Sequence, residues 1–295
     1  MDFALLKAVS RSFYLSMVWL PPAMRRGIAL GYMLARATDS VADTSCAATD
    51  KRVNVLRQMG LAIAGELPSS ELQGLFRMLR GEMADAQSNV AEAVLLQRFD
   101  ECLQQLEQVS EAERELLRRV LATIVEGQLW DLTYFSRRAE VETDDDTRRY
   151  TYMVAGCVGE FWTELGLATM GDSFCDPARR EVMTKAGIRY GQGLQLVNIL
   201  RDQAEDAARG RSYLCSSPVV WLGRAERYLN DGLDYARRLG GFRLRFTAML
   251  PALLGLKTLR LIAQRAGNER VKITRGTVYA SLLNAAWLSA WRRAS

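Results

Sequence analysis

The sequence predicts an all-α fold: a bundle of about eleven mostly long helices, in one domain spanning 1–295, around a central cavity. Three observations predict it. Apolar residues recur at three- and four-residue spacing almost throughout, and no stretch alternates strictly for long. The 22 glycines and six prolines together make about a tenth of the chain, no more than average usage. No linker rich in Pro, Ser or charge divides the chain, and no repeat of fixed period runs through it.

Helices are expected at 2–17, 22–44, 50–65, 70–85, 89–108, 111–135, 145–169, 177–208, 218–239, 243–266 and 275–293. Pro21-Pro22 separates the first two, with Pro22 suited to a first helical turn. Ser110 and Glu113 have the spacing of a capping box, while Asp176-Pro177 and Ser217-Pro218 read as N-cap followed by N1. Gly240-Gly241 is expected to close a helix. Asp144-Asp145-Asp146 suits a helix start, where acids meet the positive end of the dipole. At about 1.5 Å per residue, several of these helices are long enough to wall a deep cavity.

Histidine is absent from all 295 residues, which removes whole mechanism classes: Ser-His-Asp and Cys-His nucleophiles, His-ligated zinc and His proton shuttles. Acid–base work must fall to carboxylates, Tyr, Lys, Cys or a substrate group, and a metal to oxygen or sulfur. Thirty-nine basic against 34 acidic residues give a net charge of +5. The arginines come in separated pairs, so a clustered nucleic-acid face is not expected. Cys46, Cys102, Cys157, Cys175 and Cys215 are widely spaced and odd in number, which suits reduced thiols with no disulfide partner in a cytoplasm-like compartment. Met1-Asp2-Phe3 lacks the basic opening of a signal peptide. The longest apolar runs reach about nine residues, short of the roughly 20 a span needs.

Two segments place charge on otherwise apolar helices. Asp39 and Asp43 close the helix containing Leu30, Met33 and Leu34; Asp202 and Asp206 fall late in another. Each pair is spaced i,i+4 and so projects from one helix face. Like charges at that spacing repel by about 0.2–0.5 kcal/mol even in water, and the cost grows beside apolar surface. Hard oxygen ligands on two facing helices suit Mg²⁺, which shares its shell with substrate phosphates. Asn198 offers a neutral oxygen, and Arg36, Arg201 and Arg211 flank the acids as a bound diphosphate requires. The alternative at this point is surface acids paired with neighbouring arginines.

Four blocks then resemble the squalene/phytoene synthases, the head-to-head branch of the isoprenyl diphosphate synthases, from about Leu5 to Val278. They are Ser10-Arg11-Ser12-Phe13-Tyr14, the acids 39–43, the run Tyr150 to Gly159, and Gln195 to Asp206 with Gly210-Arg211-Ser212-Tyr213-Leu214. The resemblance implies the isoprenoid synthase fold. It also implies two or three Mg²⁺ ions held by Asp39, Asp43, Asn198, Asp202 and Asp206. Ser10, Arg11, Ser12, Phe13, Tyr32, Arg36, Gln195, Arg201 and Arg211 would bind prenyl diphosphate, farnesyl diphosphate above all. Tyr150 would handle a proton near the first coupling. Gln128 and Asp131 resemble a further family patch, and Gly156 and Gly159 are taken as packing glycines.

Within the family, Ser10 to Phe13, Arg36 to Asp39 and Val271-Lys272-Ile273-Thr274-Arg275-Gly276 resemble the squalene branch. Lys272 and Arg275 would then meet NADPH, and the expected activity is squalene synthase, a farnesyltransferase acting through presqualene diphosphate. The rival stops unreduced at dehydrosqualene or phytoene; a further one is an assembly protein that kept the fold without the chemistry. Three departures from the family pattern are Ala42, Thr274 and Cys215, where an acid, a basic residue and a proline are usual. Trp287 and Trp291 precede Arg292-Arg293, which suggests contact with a lipid interface, so the expected address is cytoplasmic or peripheral to the inner membrane face.

Overall fold

The computed structural model describes residues 2–10, 13–264 and 271–290. Fourteen α-helices account for nearly all regular structure among these residues: α1 (Phe3–Ser10), α2 (Phe13–Val18), α3 (Pro22–Ala42), α4 (Thr49–Ala64), α5 (Ser69–Met78), α6 (Val90–Gln97), α7 (Phe99–Glu107), α8 (Glu111–Tyr134), α9 (Asp144–Thr151), α10 (Cys157–Met170), α11 (Arg180–Ala208), α12 (Pro218–Arg237), α13 (Phe242–Gln264) and α14 (Arg275–Ala290). The all-α expectation holds, and the sole β feature among the described residues is an isolated bridge between Glu140 and Ser212. The chain gathers into two compact units, one of residues up to Val18 with Pro22–Ser136, the other of Trp19–Pro21 with Arg137 onward.

In the first unit α8 packs against α3 and α4. The capping box is present: Ser110 accepts from the Glu113 N–H, and Glu113 reaches back to the Ser110 N–H. The buried stripe of α8 runs Leu117, Leu121, Ile124, Val125 and Leu132, and Gln128 and Asp131 continue it although both are polar. Two expected helices differ in detail. The helix predicted at 89–108 breaks at Arg98, whose side chain turns to Glu101 and Asp2. The one predicted at 70–85 passes into a π-helical turn at Leu79–Met83. Gln87 follows it and donates to Thr44 Oγ1 at 2.8 Å, bracing the end of α3.

In the second unit the 29-residue α11 lies among α10, α12 and α13. Close contact with α10 depends on glycine: a Cβ on Gly159 would lie 1.9 Å from the Gly187 carbonyl oxygen. The packing role expected of Gly159 is therefore what the backbone requires. The helix predicted at 145–169 is divided by a π-helical turn at Tyr152–Gly156. Thr143 and Asp146 form a second capping box, placing the three aspartates at the start of α9 as expected. Ser217 stands at the N-cap with Pro218 at N1, as expected, although its side chain makes no cap bond. One cap reading needs correction: Gly240 does not take a left-handed cap conformation. Gly240 instead permits close approach of two backbones: a Cβ there would lie 2.1 Å from the Ser173 carbonyl oxygen, while its N–H donates to the Phe174 carbonyl.

Helix α13 runs unbroken through Pro251. It is the one helix among the described residues long and apolar enough to cross a membrane by composition, with mean hydropathy 1.4. More than half of that stretch is buried within the protein, against α11, α12 and α14, which is how a core helix packs.

Candidate functional site

In the first unit the sequence-selected residues form a chain of contacts on one side of α3. Tyr32 donates from its hydroxyl to the Val9 carbonyl at 3.2 Å, tying α3 to the end of α1. One turn on, Arg36 donates to the Tyr32 oxygen at 3.4 Å and from Nη1 to Asp39 Oδ2 at 2.6 Å. Asp43 lies one further turn along, its N–H bonded to the Asp39 carbonyl at 2.9 Å. Loss of hydration, then the charge of Asp43, pushes the Asp39 carboxyl up to about 7; Arg36 opposes this, and Glu92 and Asp131 add to it. The Asp39 side chain is still 40% exposed, so it lies open to a ligand from solvent. For Arg36, burial works to lower its pKa, but the charges of Asp39, Tyr32 and Glu92 outweigh it and keep the guanidinium charged.

Sequence reasoning missed Glu92, which stands on α6 and joins the group only through tertiary packing. Asn89 Nδ2 holds one of its oxygens at 3.0 Å and Ser40 Oγ the other at 3.2 Å. Gln128 and Asp131 are both 8% exposed, and the Gln128 Oε1 atom is buried with no hydrogen-bond partner. A polar pair interrupting an otherwise apolar stripe was the one sequence signal for this side of the site. Ser10 is buried and donates to the Leu6 carbonyl at 2.6 Å, whereas Phe13 is half exposed at the start of α2. Arg11 and Ser12 lie outside the described residues.

In the second unit the counterpart is the last two turns of α11. Arg201 clamps Asp202 with two bonds, Nε to Oδ1 at 2.9 Å and Nη2 to Oδ2 at 2.5 Å, a fork geometry that fixes the carboxylate's orientation. Asn198 is exposed, and its amide leans toward Gln195 at 3.4 Å. Gly210, at φ +72°, lets the chain reverse at the helix end, so that the Arg211 N–H bonds back to the Asp206 carbonyl at 2.9 Å. Asp206, Arg211, Tyr213 and Gln203 then line a cleft of about 190 Å³.

The far wall of that cleft is supported by the other sequence-selected block. Ser212 pairs through its backbone with residues 139–141, and Thr147 Oγ1 donates to the Tyr213 carbonyl at 2.7 Å. The Tyr150 ring stacks on Tyr213 at 4.8 Å between centroids. Cys215, the departure from proline, donates its thiol to Asp144 at 3.2 Å, holding the end of the segment to the start of α9. Lys272 and Arg275 are exposed at the start of α14 and do not line the cleft.

Both aspartate pairs sit where a helix is least hospitable to anions. The C-terminal turn carries the negative end of the dipole, and neither α3 nor α11 has a basic residue in its last turn. Among the described residues no three acidic or thiol side chains converge into a ready-made metal cage. The donor set is oxygen only, two carboxylates at a time, each with an arginine alongside. That fits Mg²⁺, which is commonly held by one or two carboxylates and completes its shell with water and substrate phosphate; Asp39, Asp43, Asp202, Asp206 and Asn198 are the residues that would hold it.

Comparison with known proteins identifies the family. Residues 6–217 match the family model described as squalene/phytoene synthase, a stretch containing both aspartate pairs, Tyr150 and Arg211. A bifunctional lycopene cyclase/phytoene synthase from Phaeosphaeria nodorum is 30% identical over 74% of this chain and 33% of its own length. A squalene synthase from Schizosaccharomyces pombe is 27% identical over 72% of this chain and 43% of its own. The chain thus spans a third to less than half the length of these curated relatives. A solved dehydrosqualene synthase superposes with a TM-score of 0.66 at 19% identity, covering 98% of this chain and 97% of that one, a likeness of fold. With the family match extending over most of the chain, this protein belongs to the squalene/phytoene synthase family.

Proposed function

We propose that the chain is a squalene synthase that joins two molecules of farnesyl diphosphate head to head, through presqualene diphosphate, and completes the reaction by reduction with NADPH. Members of the family are prenyltransferases acting on prenyl diphosphates with a divalent metal. The observation that carries the reading is the pairing of each aspartate couple with an arginine, Arg36 on Asp39 and Arg201 on Asp202. When bound, Mg²⁺ neutralises the charge developing on the departing diphosphate. Arg36, Arg201 and Arg211 supply fixed guanidinium donors for the same oxygens, placed before the charge appears and so needing no reorganisation. Tyr150, buried and held flat against Tyr213, is assigned to proton handling beside the cleft. The five unpaired thiols support a reducing, cytoplasm-like setting.

The reductive endpoint rests on the sequence likeness of residues 10–13, 36–39 and 271–276 to the squalene branch. A second reading, an unreduced dehydrosqualene or phytoene product, is favoured by one observation: Lys272 and Arg275 are exposed and stand outside the cleft lined by Asp206 and Arg211. Incubation with farnesyl diphosphate and Mg²⁺, with and without NADPH, followed by mass analysis of extracted lipid, separates the two. Squalene formed only with NADPH is the expected result. An unreduced C30 product in both reactions selects the second reading, as does phytoene from geranylgeranyl diphosphate. No lipid from any prenyl diphosphate would sink both.

A further inference from the structure

Gln192 is a polar side chain in a place that packing alone would give to an apolar one. It stands in the middle of α11, 8% exposed, between Gly191 and Gly193. Gly191 lets α11 lie against the π-helical turn at Tyr152–Gly156: a Cβ there would sit 2.1 Å from the Ala155 carbonyl oxygen. The stem of Gln192 runs over the same turn, its Cγ 3.0 Å from where a Cβ on Gly156 would lie. The amide then reaches the end of α9, where Nε2 donates to the Arg148 carbonyl at 3.0 Å and to Thr151 Oγ1 at 3.4 Å.

Neither acceptor needs this donor. The Arg148 carbonyl already accepts from the Tyr152 N–H and from Thr151 Oγ1, which matches its two lone pairs. An apolar side chain of the same volume would fill the place without the cost of burying an amide. What the bond supplies is a link from α11 to the turn that carries Tyr150. Two further ties hold that turn: Thr147 Oγ1 donates to the Tyr213 carbonyl at 2.7 Å, and the Tyr150 ring stacks on Tyr213 at an interplanar angle of 18°. The local backbone adds little, because α9 has only eight residues and passes at once into the π-helical turn, a device that recurs at functional sites.

We propose that Gln192 is a positioning residue for the reaction: through the Arg148 carbonyl and Thr151 it fixes the last turn of α9, and with it the seat of the Tyr150 ring on Tyr213 beside the cleft. The proposal rests on the assignment of Tyr150 to proton handling and extends it to the residue that sets its place. Gln192 itself meets no reacting atom in this role. Placement matters because a misplacement of an ångström in such a group costs about a hundredfold in rate.

A double-mutant cycle on the full chain, turning over farnesyl diphosphate with Mg²⁺, tests it. Gln192→Met keeps the bulk and loses the donor. It is expected to melt close to the wild type, to lower kcat by about 10–100-fold and to leave KM for farnesyl diphosphate nearly unchanged. Thr151→Val, which removes the second acceptor, should act in the same direction and less strongly. Placed on Tyr150→Phe, Gln192→Met should cost about twofold or less, because the group it positions has already gone. An equal fractional loss in both backgrounds would overturn the proposal, as would full turnover by both Gln192→Met and Thr151→Val. A Gln192→Met chain that melts far below the wild type would overturn it too, since the amide would then be structural. Failure of the underlying assignment shows separately, with Gln192 intact: either the wild type makes no product, or Tyr150→Phe turns over as fast as the wild type, and the positioning role goes with it.

Discussion

Asp202 and Asp39 look alike in sequence, each with an arginine nearby, but the protein treats them differently. Asp202 is clamped by two bonds from its immediate neighbour Arg201; Asp39 is reached through one bond from Arg36 and surrounded by the negative charges of Asp43, Glu92 and Asp131. Replacement of Asp202 by Asn keeps the shape and removes the charge. The expected outcome is a fall in product formation of about 10²–10³-fold with the fold retained, followed by extracting labelled lipid. The thiols give a second residue-scale prediction. Burial pushes Cys102 and Cys157 up to about 12 and raises Cys175; Cys46 and Cys215 are exposed, but loss of hydration and the bond to Asp144 raise Cys215 too. A thiolate is the reactive form, so at pH 8 an aromatic disulfide reagent should titrate Cys46 quickly and Cys215 slowly in the native protein, and all five cysteines after denaturation. Asp39, Asp43, Asp202 and Asp206 were legible because charge stood out against an apolar period. Glu92 was not, since nothing in its local sequence distinguishes it from a surface acid in a first helical turn, and only the packing of α6 against α3 brings it to Arg36.

At the scale of elements, helix ends were legible where side chains make them: Ser110 with Glu113, the aspartates 144–146, Pro22, although the Thr143 cap that precedes those aspartates was not read. Breaks inside helices were not. The turns at Leu79–Met83 and Tyr152–Gly156 keep helical periodicity while shifting its phase, so apolar spacing runs through them unchanged. Two glycines show how differently an element can depend on one residue. At Gly210 an added methyl meets nothing within 4 Å, and the obstacle is the positive φ alone, so Gly210→Ala should cost about 1–2 kcal/mol of stability. At Gly159 the methyl collides with the Gly187 backbone, and overpacking of that kind costs roughly 1–3 kcal/mol or more. Thermal denaturation should therefore rank Gly159→Ala as the less stable variant. Turnover at a temperature where both are folded should show the reverse order, because Gly210 directs Arg211 back over the last turn of α11 toward Asp206. Equal turnover in the two variants would remove Arg211 from the site.

For the whole molecule, the placement of the aspartates sets function against stability. Two like-charged pairs at the negative ends of α3 and α11, with no basic residue in either last turn, oppose folding until a cation arrives. The arginines that accompany them relieve this in part, and leave Asp39 still pushed upward. Natural sites that retain such repulsion commonly gain stability when the functional charge is removed. Asp39→Asn should accordingly melt at the same temperature as the wild type or above it when both are freed of metal by a chelator, even though it makes no product. Adding Mg²⁺ with inorganic diphosphate reverses the order. A ligand that binds only the folded state stabilises by about 2.7 kcal/mol at a hundredfold excess over its dissociation constant, which amounts to several degrees in a chain of this size. The wild type should show that rise with Mg²⁺ and diphosphate together and far less with either alone, because each completes the other's shell. Asp39→Asn should lose most of it. A metal-free variant that melts well below the wild type would mean that Asp39 is held by its partners for structure, and the cation assignment at α3 would fall with it.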